Sequence, residues 1–298
     1  MLSVSVIICS HNPREDYLRR VLEALKAQTL PSKNWELLLI DNASKEPLAG
    51  RFDLSWHPNA RHVREDKSPR LRGTAESKGD LLVFVDDDNV PRSDYLAASL
   101  KISAAWPQLG AWSGSYLPEF ETEPPAELRP WLHGLSIEKL TDSYWGRLSE
   151  SSPALPTGAG MSVRRSVALH YHDEFLRDPL RQMLAQNGNQ LAGGQDSDLA
   201  LSSLALGLGT GRFPELELTH LIPAQRLTLE YLEGIHEGFG YRGAILRAIH
   251  LKENSPPGTL NSFFLRLALL NKSPVERKIK MAEARGRRSA QLELQRLL

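Results

Sequence analysis

Short apolar runs alternate with amphipathic stretches along the first half of the chain. The strand candidates are 4–9, 35–40 and 81–85. Apolar side chains recur at helical spacing over 17–25, which predicts a helix. Before them, Asn12 is the predicted N-cap, Pro13 the first helical residue, and Glu15 completes a capping box. Buried strands that alternate with helices predict an α/β fold with a mostly parallel central sheet flanked by helices.

The pattern changes after the first half of the chain. Residues 118–130 are rich in Pro and Glu. We predict that the region 118–156 is a surface excursion on the acceptor side of a site; an ordinary packed insertion with two helices is the alternative. Strand character returns near 156–163 and again at 211–219. From Arg226 onward the chain reads as largely helical. We therefore expect two regions, a main domain over 1–222 and a helical C-terminal extension over 223–298.

The end of the chain combines an apolar and a basic stretch. Residues 259–270 are mostly apolar, and 272–288 carry seven basic and two acidic residues. Such a pair of helices can lie on an anionic membrane surface. A helix packed on the core with a solvated basic face is the alternative.

Composition excludes several classes of protein. The 298 residues are 41% apolar and 24% charged, with 36 basic and 36 acidic side chains, so net charge does not favour a nucleic-acid partner. Cys9 is the only cysteine, which excludes an intramolecular disulfide and fits a reducing compartment. The apolar run near the N-terminus is too short for a signal peptide. We expect a cytoplasmic protein, with peripheral contact at the inner face of the membrane as an open alternative.

Three adjacent carboxylates, Asp86, Asp87 and Asp88, follow the strand candidate 81–85. They repel one another, and the carboxyl end of a strand in an open α/β sheet is the edge where ligands bind. A divalent metal held between protein and a phosphate substrate suits them. A solvated acidic turn that caps the next helix is the alternative. The polar ends of two other strands, at Ser10 and Asp41, would share this edge and favour the binding site.

A second acidic landmark follows Gly193 and Gly194. Asp196 and Asp198 lie at the start of a predicted helix, where plain capping is the simplest explanation. His220 follows the last predicted strand of the main domain. It is a candidate ligand for a metal or a diphosphate, or simply a hydrogen-bonded residue at a strand end.

The order of these motifs resembles the family 2 glycosyltransferases, which are inverting enzymes with the GT-A fold. The resemblance covers about 2–222. The motifs that carry it are Val4–Asn12, Glu36–Ser44, Lys78–Asp88, Gly158–Met161 and Gly194–Leu199. It implies an enzyme that moves a sugar from a nucleotide-sugar donor to a hydroxyl acceptor, which can be a glycan, a lipid or a small molecule. It also implies a divalent cofactor, manganese or magnesium.

The resemblance assigns roles to individual residues. Asp196 is expected as the general base, with Asp198 as the second choice. Asp88 is expected to bind the metal, with His220 as a further ligand. The donor-binding candidates are Ser10, His11, Asn12, Asp41, Asp86, Asp87 and Arg72, with Arg70 as an alternative to Arg72.

The chain departs from the family pattern at Gln195, where the family usually has Glu before the base. This leaves room for a catalytically silent domain that binds glycan or nucleotide as a scaffold. A nucleotidyltransferase is a second rival, but it would carry a Gly-rich basic loop where this chain has His11–Arg14. A response-regulator-like domain is a remote third alternative, because such a domain is far shorter.

Overall fold

The structure is a computed structural model that describes residues 2–147, 152–185, 193–253, 265 and 267–297. Most of the predicted apolar helix, at 259–264 and 266, therefore lies outside the described residues. So does the segment 148–151 of the predicted excursion.

Parallel strands form one half of the central sheet. They are β1 (Val4–Ser10), β2 (Trp35–Asn42), β3 (Ala60–Glu65) and β4 (Leu81–Val85). Their spatial order is β3-β2-β1-β4, and β1 pairs with β2 in a register that sets Ser10 beside Asp41. β4 pairs with β1 so that Val85 lies beside Ile8. The polar residues that follow β1, β2 and β4 therefore share one edge of the sheet, as predicted.

Antiparallel strands form the other half. They are β5 (Asn89–Pro91), β6 (Leu109–Phe120), β7 (Tyr144–Gly146), β8 (Met161–Arg164) and β9 (Gly209–Ile222). β4 pairs antiparallel with β8, and β8 pairs antiparallel with β6. The predicted α/β class is confirmed, but the sheet is mixed. The sequence did not reveal this because β6 is buried along most of its length, as a parallel strand would be.

The described α-helices are α1 (Glu15–Lys26), α2 (Pro69–Glu76), α3 (Tyr95–Ala105), α4 (Arg165–Arg177), α5 (Pro179–Gln182), α6 (Gln195–Leu201), α7 (Leu229–Leu251) and α8 (Pro274–Leu297). None of the described helices has the length and the apolar character that a membrane crossing requires.

The predicted N-cap of α1 is wrong. The helix begins at Glu15, and its N-cap is Arg14, whose side chain makes no capping hydrogen bond. Asn12 has a φ of 47° and ties the turn after β1 to the turn after β2. Its side-chain oxygen accepts a hydrogen bond from the Lys45 amide at 2.9 Å, and its own amide donates to Ser44 Oγ at 3.0 Å. Asn12 is a residue type that often caps helices. Here its side chain joins two turns instead of capping α1.

Two compact units divide the chain, and their segments interleave. Unit 1 comprises residues 1–119, 138–173 and 199–221; unit 2 comprises 120–137, 174–198 and 222–298. The main core of unit 1 lies between the sheet and its helices, and α1 contributes Leu18, Val21, Leu22 and Leu25 to it. The division at 222 that the sequence suggested stays a prediction.

Two glycines bring α7 and α8 of unit 2 into close contact. A Cβ on Gly286 would overlap the carbonyl oxygen of Glu237, and a Cβ on Gly240 would overlap that of Glu283. Basic side chains of α8 pair with acids of α7, for example Arg285 with Glu237 at 2.8 Å. α8 is thus a helix packed through one face, as in the alternative given above. Membrane contact through the basic C-terminal helices stays a prediction.

The glycine contact generates a stability prediction. Gly286→Ala should lower the free energy of unfolding by about 1–3 kcal/mol, because the added methyl group forces two helix backbones apart. Gly243→Ala on α7 is the matched control, since nothing lies within 4 Å of its Cβ position. The control should be neutral or stabilising by up to about 1 kcal/mol. Urea unfolding of both variants would measure this, and equal stability would contradict the packing argument.

His236 on α7 generates a pH prediction. Burial, then the neighbouring His133, lowers its pKa from 6.5 to about 4, and its ring meets Trp131 edge-on with centroids 5.7 Å apart. Below pH 6.5 the unfolded chain binds a proton there that the folded chain does not bind until about pH 4. The free energy of unfolding should therefore fall by about 2 kcal/mol from pH 7 to pH 5 through this residue.

His236→Leu should remove that part of the pH dependence, which urea unfolding at the two pH values would measure. A variant whose slope with pH matches that of the wild type would show that His236 titrates normally in the folded protein.

Candidate functional site

Asp41, at the end of β2, is a rigid buried carboxylate. It is 4% exposed, and it accepts hydrogen bonds from the Ser44 amide at 2.9 Å, the Leu48 amide at 3.1 Å and Arg64 Nη1 at 3.0 Å. Burial on its own would raise the pKa of Asp41, but the hydrogen bonds outweigh it and hold the pKa below its usual range. Asp41 is therefore an ionised acceptor with a fixed orientation.

The turn after β1 is ordered by its own polar side chains. Ser10 Oγ donates to Asp87 Oδ2, which joins the end of β1 to the acidic run after β4. The His11 Nδ1–H donates to the carbonyl oxygen of Asn42 at 2.6 Å, because a carbonyl can only accept. His11 Nε2 then accepts from Asn12 Nδ2 at 2.8 Å. The structure thus brings together the predicted residues of this turn and Asp87.

Asp88 and His220 are neighbours, as the predicted metal site requires. The short strand β5 pairs with β9 so that Asn89 lies beside His220. Asp88 is 6% exposed, and its Oδ2 lies 3.7 Å from His220 Nε2. Its Oδ1 accepts from Asn89 Nδ2 at 2.5 Å, and its carbonyl accepts from the Leu221 amide at 2.8 Å. These bonds hold one carboxylate oxygen towards the imidazole.

The donor atoms of this pair suit a divalent metal, because carboxylate oxygen and imidazole nitrogen both bind manganese. Asp86 and Asp87 lie half-buried beside Asp88 in the same turn. Within the described residues, no three His, Cys, Asp or Glu side chains are arranged as a complete metal site. Asp88 and His220 can therefore be only part of a coordination sphere.

The two arginines of α2 have different surroundings. Arg72 is 47% exposed and pairs with Glu76 at 2.8 Å. Arg70 lies with its guanidinium carbon 4.8 Å from the centre of the Phe84 ring in β4. Its Nη1 atom is buried and has no hydrogen-bond partner among the described residues. Of the two arginines, Arg70 therefore has a buried donor atom for which the described residues provide no acceptor.

Cys9, in β1, shares the surroundings of Arg70 but is not a nucleophile. Burial raises the pKa of its thiol to about 12, against the attraction of Arg70 and with the repulsion of Asp86 and Asp87. Cys9 therefore stays protonated at neutral pH.

Asp196 lies in unit 2, half-buried in the first turn of α6. The loop before α6 turns at Gly194, which has a φ of 115° and approaches Arg242 of α7 so closely that a Cβ would lie 3.1 Å from the Arg242 Cβ. The guanidinium of Arg242 lies 4.1 Å from the centre of the Phe239 ring. Burial lowers the pKa of Arg242, and the charge of Asp196 partly opposes this effect. Asp196 and Arg242 therefore interact electrostatically.

Asp198 has a different environment from Asp196. Its side chain is completely buried, and its Oδ1 accepts from Arg181 Nη1 at 2.5 Å and from His250 Nε2 at 2.7 Å. A carboxylate so enclosed does not suit proton transfer with a substrate hydroxyl, which disfavours the second choice for the base. Sequence reasoning missed Arg181 and His250. The only local signal was an acid directly before the apolar pair Leu199 and Ala200.

Comparison with known proteins agrees with this geometry. Residues 5–105 match the family described as glycosyl transferase family 2. The glycosyltransferase AglE of Haloferax volcanii is 32% identical over 101 residues, which are 31% of this chain. The match spans 33% of the length of AglE, so the chain covers about a third of this curated relative.

Solved glycosyltransferase structures share the fold. S. aureus TarS in complex with UDP-GlcNAc has a TM-score of 0.54 at 12% identity, over 99% of this chain and 92% of TarS. The mannosyltransferase PcManGT from Pyrobaculum calidifontis, in complex with GDP-Man and Mn2+, has a TM-score of 0.55 at 18% identity, over 98% of this chain and 73% of PcManGT. The mixed sheet with its helices is thus similar to GT-A glycosyltransferase structures. The resemblance drawn from the motifs is confirmed for residues 5–105, which match glycosyl transferase family 2.

Proposed function

We propose that this chain is a metal-dependent inverting glycosyltransferase, which moves a sugar from a nucleotide-sugar donor to a hydroxyl acceptor. The observation that carries the proposal is that three features lie along one edge of the sheet. They are Asp41, the Ser10–Asp87 hydrogen bond and the Asp88–His220 pair. Ligands bind at that edge of open α/β sheets. Structural relatives bind UDP-GlcNAc and GDP-Man, which supports a nucleotide-sugar donor here.

The donor's nucleoside would lie beside β1 and β2. Asp41 is fixed and ionised, so its carboxylate can accept a hydrogen bond from a base N–H. The ordered turn at Ser10, His11 and Asn12 would form the wall of the nucleotide site. Asp86 or Asp87 would hold the ribose or support the metal through water.

The diphosphate would lie beside Asp88 and His220. These two side chains would hold a manganese or magnesium ion, which neutralises the charge that develops on the departing nucleoside diphosphate. Water and the diphosphate itself would complete a coordination sphere to which the described residues contribute only in part. Of the two arginines on α2, the contacts favour Arg70 over Arg72 as a diphosphate ligand, because Arg72 already pairs with Glu76.

Asp196 would act as the general base. It would take the proton from the acceptor hydroxyl as that oxygen attacks C1 of the sugar on the face opposite the departing diphosphate, which inverts the anomeric configuration. The motif Gly194–Leu199 supports this role, and so does the difference in burial between Asp196 and Asp198. Gln195 leaves the carboxylate of Asp196 available.

The donor site generates a binding prediction. Calorimetric titration with UDP and GDP should detect binding of one of them that is at least about tenfold tighter with manganese than without it, because the ion would neutralise charge on the diphosphate. Asp88→Asn should remove the manganese-dependent part. Asp94→Asn, a half-exposed acid paired with Arg92 in the same unit, is the control and should bind as the wild type does.

Unchanged manganese dependence in Asp88→Asn would contradict the assigned metal site. Failure of the wild type to bind either UDP or GDP would favour the silent scaffold.

The base assignment generates a kinetic prediction. Asp196→Asn should lower the rate of nucleoside diphosphate release from the sugar donor by about 100- to 10,000-fold, the range expected for loss of a general base. Its affinity for the nucleoside diphosphate should stay that of the wild type. Asp173→Asn, an exposed acid on α4, is the control. Turnover by Asp196→Asn at the wild-type rate would rule out Asp196 as the base.

A further inference from the structure

The buried cluster of Arg181, Asp198 and His250 lies in unit 2, just behind the proposed base. We infer that this cluster is a positioning device, which fixes the orientation of α6 and thereby aims the carboxylate of Asp196. The inference rests on the proposed role of Asp196 as general base. It assigns Asp198, Arg181 and His250 as positioning residues that act through Asp196 and make no contact with substrate.

The contacts converge on one atom. Asp198 Oδ1 accepts from Arg181 Nη1 at 2.5 Å and from His250 Nε2 at 2.7 Å, and the Asp198 carboxylate is completely buried. Arg181 is itself 7% exposed. A buried carboxylate that lost these donors would be left as an uncompensated charge, which strongly destabilises a fold. The cluster therefore tolerates only a narrow range of positions for Asp198.

The three residues come from three different helices. Arg181 belongs to α5, Asp198 to α6 and His250 to the last turn of α7. The Asp198 amide also donates to the Gly194 carbonyl at 3.0 Å, which ties the start of α6 to the turn before it. A movement of α6 against α5 or α7 would lengthen at least one of these short hydrogen bonds. The cluster thus fixes α6 from two sides.

A helix as short as α6 needs such external support. It has seven residues, and an isolated helix of this length is not stable in water. Successive residues of an α-helix turn by roughly 100°, so Asp196 and Asp198 point in nearly opposite directions, about 200° apart. When Asp198 is held inward, Asp196 is directed outward. The orientation of the proposed base is therefore a consequence of where Asp198 is anchored.

An ion cluster suits this task better than an apolar contact would. Apolar side chains pack in several arrangements of similar free energy, whereas charge-assisted hydrogen bonds have a preferred length and direction. A proton transfer depends on such precision, because a shift of about 1 Å in a reacting group can cost about 100-fold in rate. The cluster would therefore affect kcat more than it affects the binding of the donor.

Three variants at the end of α7 test the inference. His250→Ala removes the donor, and His250→Gln keeps a nitrogen donor at similar reach. Ile249→Ala removes a buried apolar side chain of the same helical turn, which cannot form a hydrogen bond to Asp198. Each variant is measured for kcat, for KM of the donor, for affinity to the nucleoside diphosphate and for melting temperature. The full chain with manganese is used throughout, beside wild type and Asp196→Asn.

The expected results separate positioning from plain stability. His250→Ala should lower kcat at least about tenfold with KM and nucleotide affinity within about twofold of the wild type, because α6 is released but the donor site is intact. His250→Gln should recover most of the lost kcat. Ile249→Ala should lower the melting temperature as much as His250→Ala does and keep the wild-type kcat.

Two outcomes would overturn the inference. If Asp196→Asn is inactive while His250→Ala and Ile249→Ala have equal kcat values, the cluster is only structural and the base assignment stands. If Asp196→Asn turns over at the wild-type rate, the proposed function of Asp196 fails and the inference fails with it. If His250→Ala does not fold, Arg181→Lys takes its place in the same measurements, with the same expected results. This variant keeps the charge but loses the planar guanidinium.

Discussion

The register of the parallel strands is the constraint on which the site in unit 1 depends. β1 pairs with β2 and β4 so that all three end at one edge of the sheet. Each strand interior is apolar and buried on both faces, so the polar residues lie at the strand ends. The register of the pairing therefore decides where Ser10, Asp41 and Asp86 emerge. Polar chemistry at the edge is a consequence of apolar packing inside the sheet.

Buried carboxylates then give the molecule its local precision. Glu36, at the start of β2, accepts from Ser5 Oγ at 2.7 Å and from the Lys78 amide at 2.5 Å, which holds the chain as it enters β4. Asp41 orders the turn after β2, and Asp198 joins three helices in unit 2. In each case more than one donor contacts the same acid, because a buried charge is tolerated only when it is paired or hydrogen-bonded. The residues next to these acids in the chain are therefore held in fixed positions.

Strand β4 and helix α1 show where the sequence pattern predicts the structure correctly and where it does not. The pattern of apolar residues located β4 at Leu81–Val85 without error, since a fully buried strand is bounded sharply by polar residues. The same kind of pattern misjudged the start of α1. Asn12 has the side chain of an N-cap, but the turn after β2 offers it the Lys45 amide. Local propensity is a small free-energy preference, and tertiary contacts readily outweigh it.

The sequence by itself determined the α/β class, the order of the motifs and the identity of the acidic runs, because strand periodicity and motif spacing are local properties of the chain. Only the tertiary structure decided that Asp88 meets His220, that Arg72 is engaged by Glu76 while Arg70 stacks on Phe84, and that Asp198 is buried against Arg181 and His250. These pairings join side chains from separate elements. They depend on strand direction and helix packing, which no local pattern encodes.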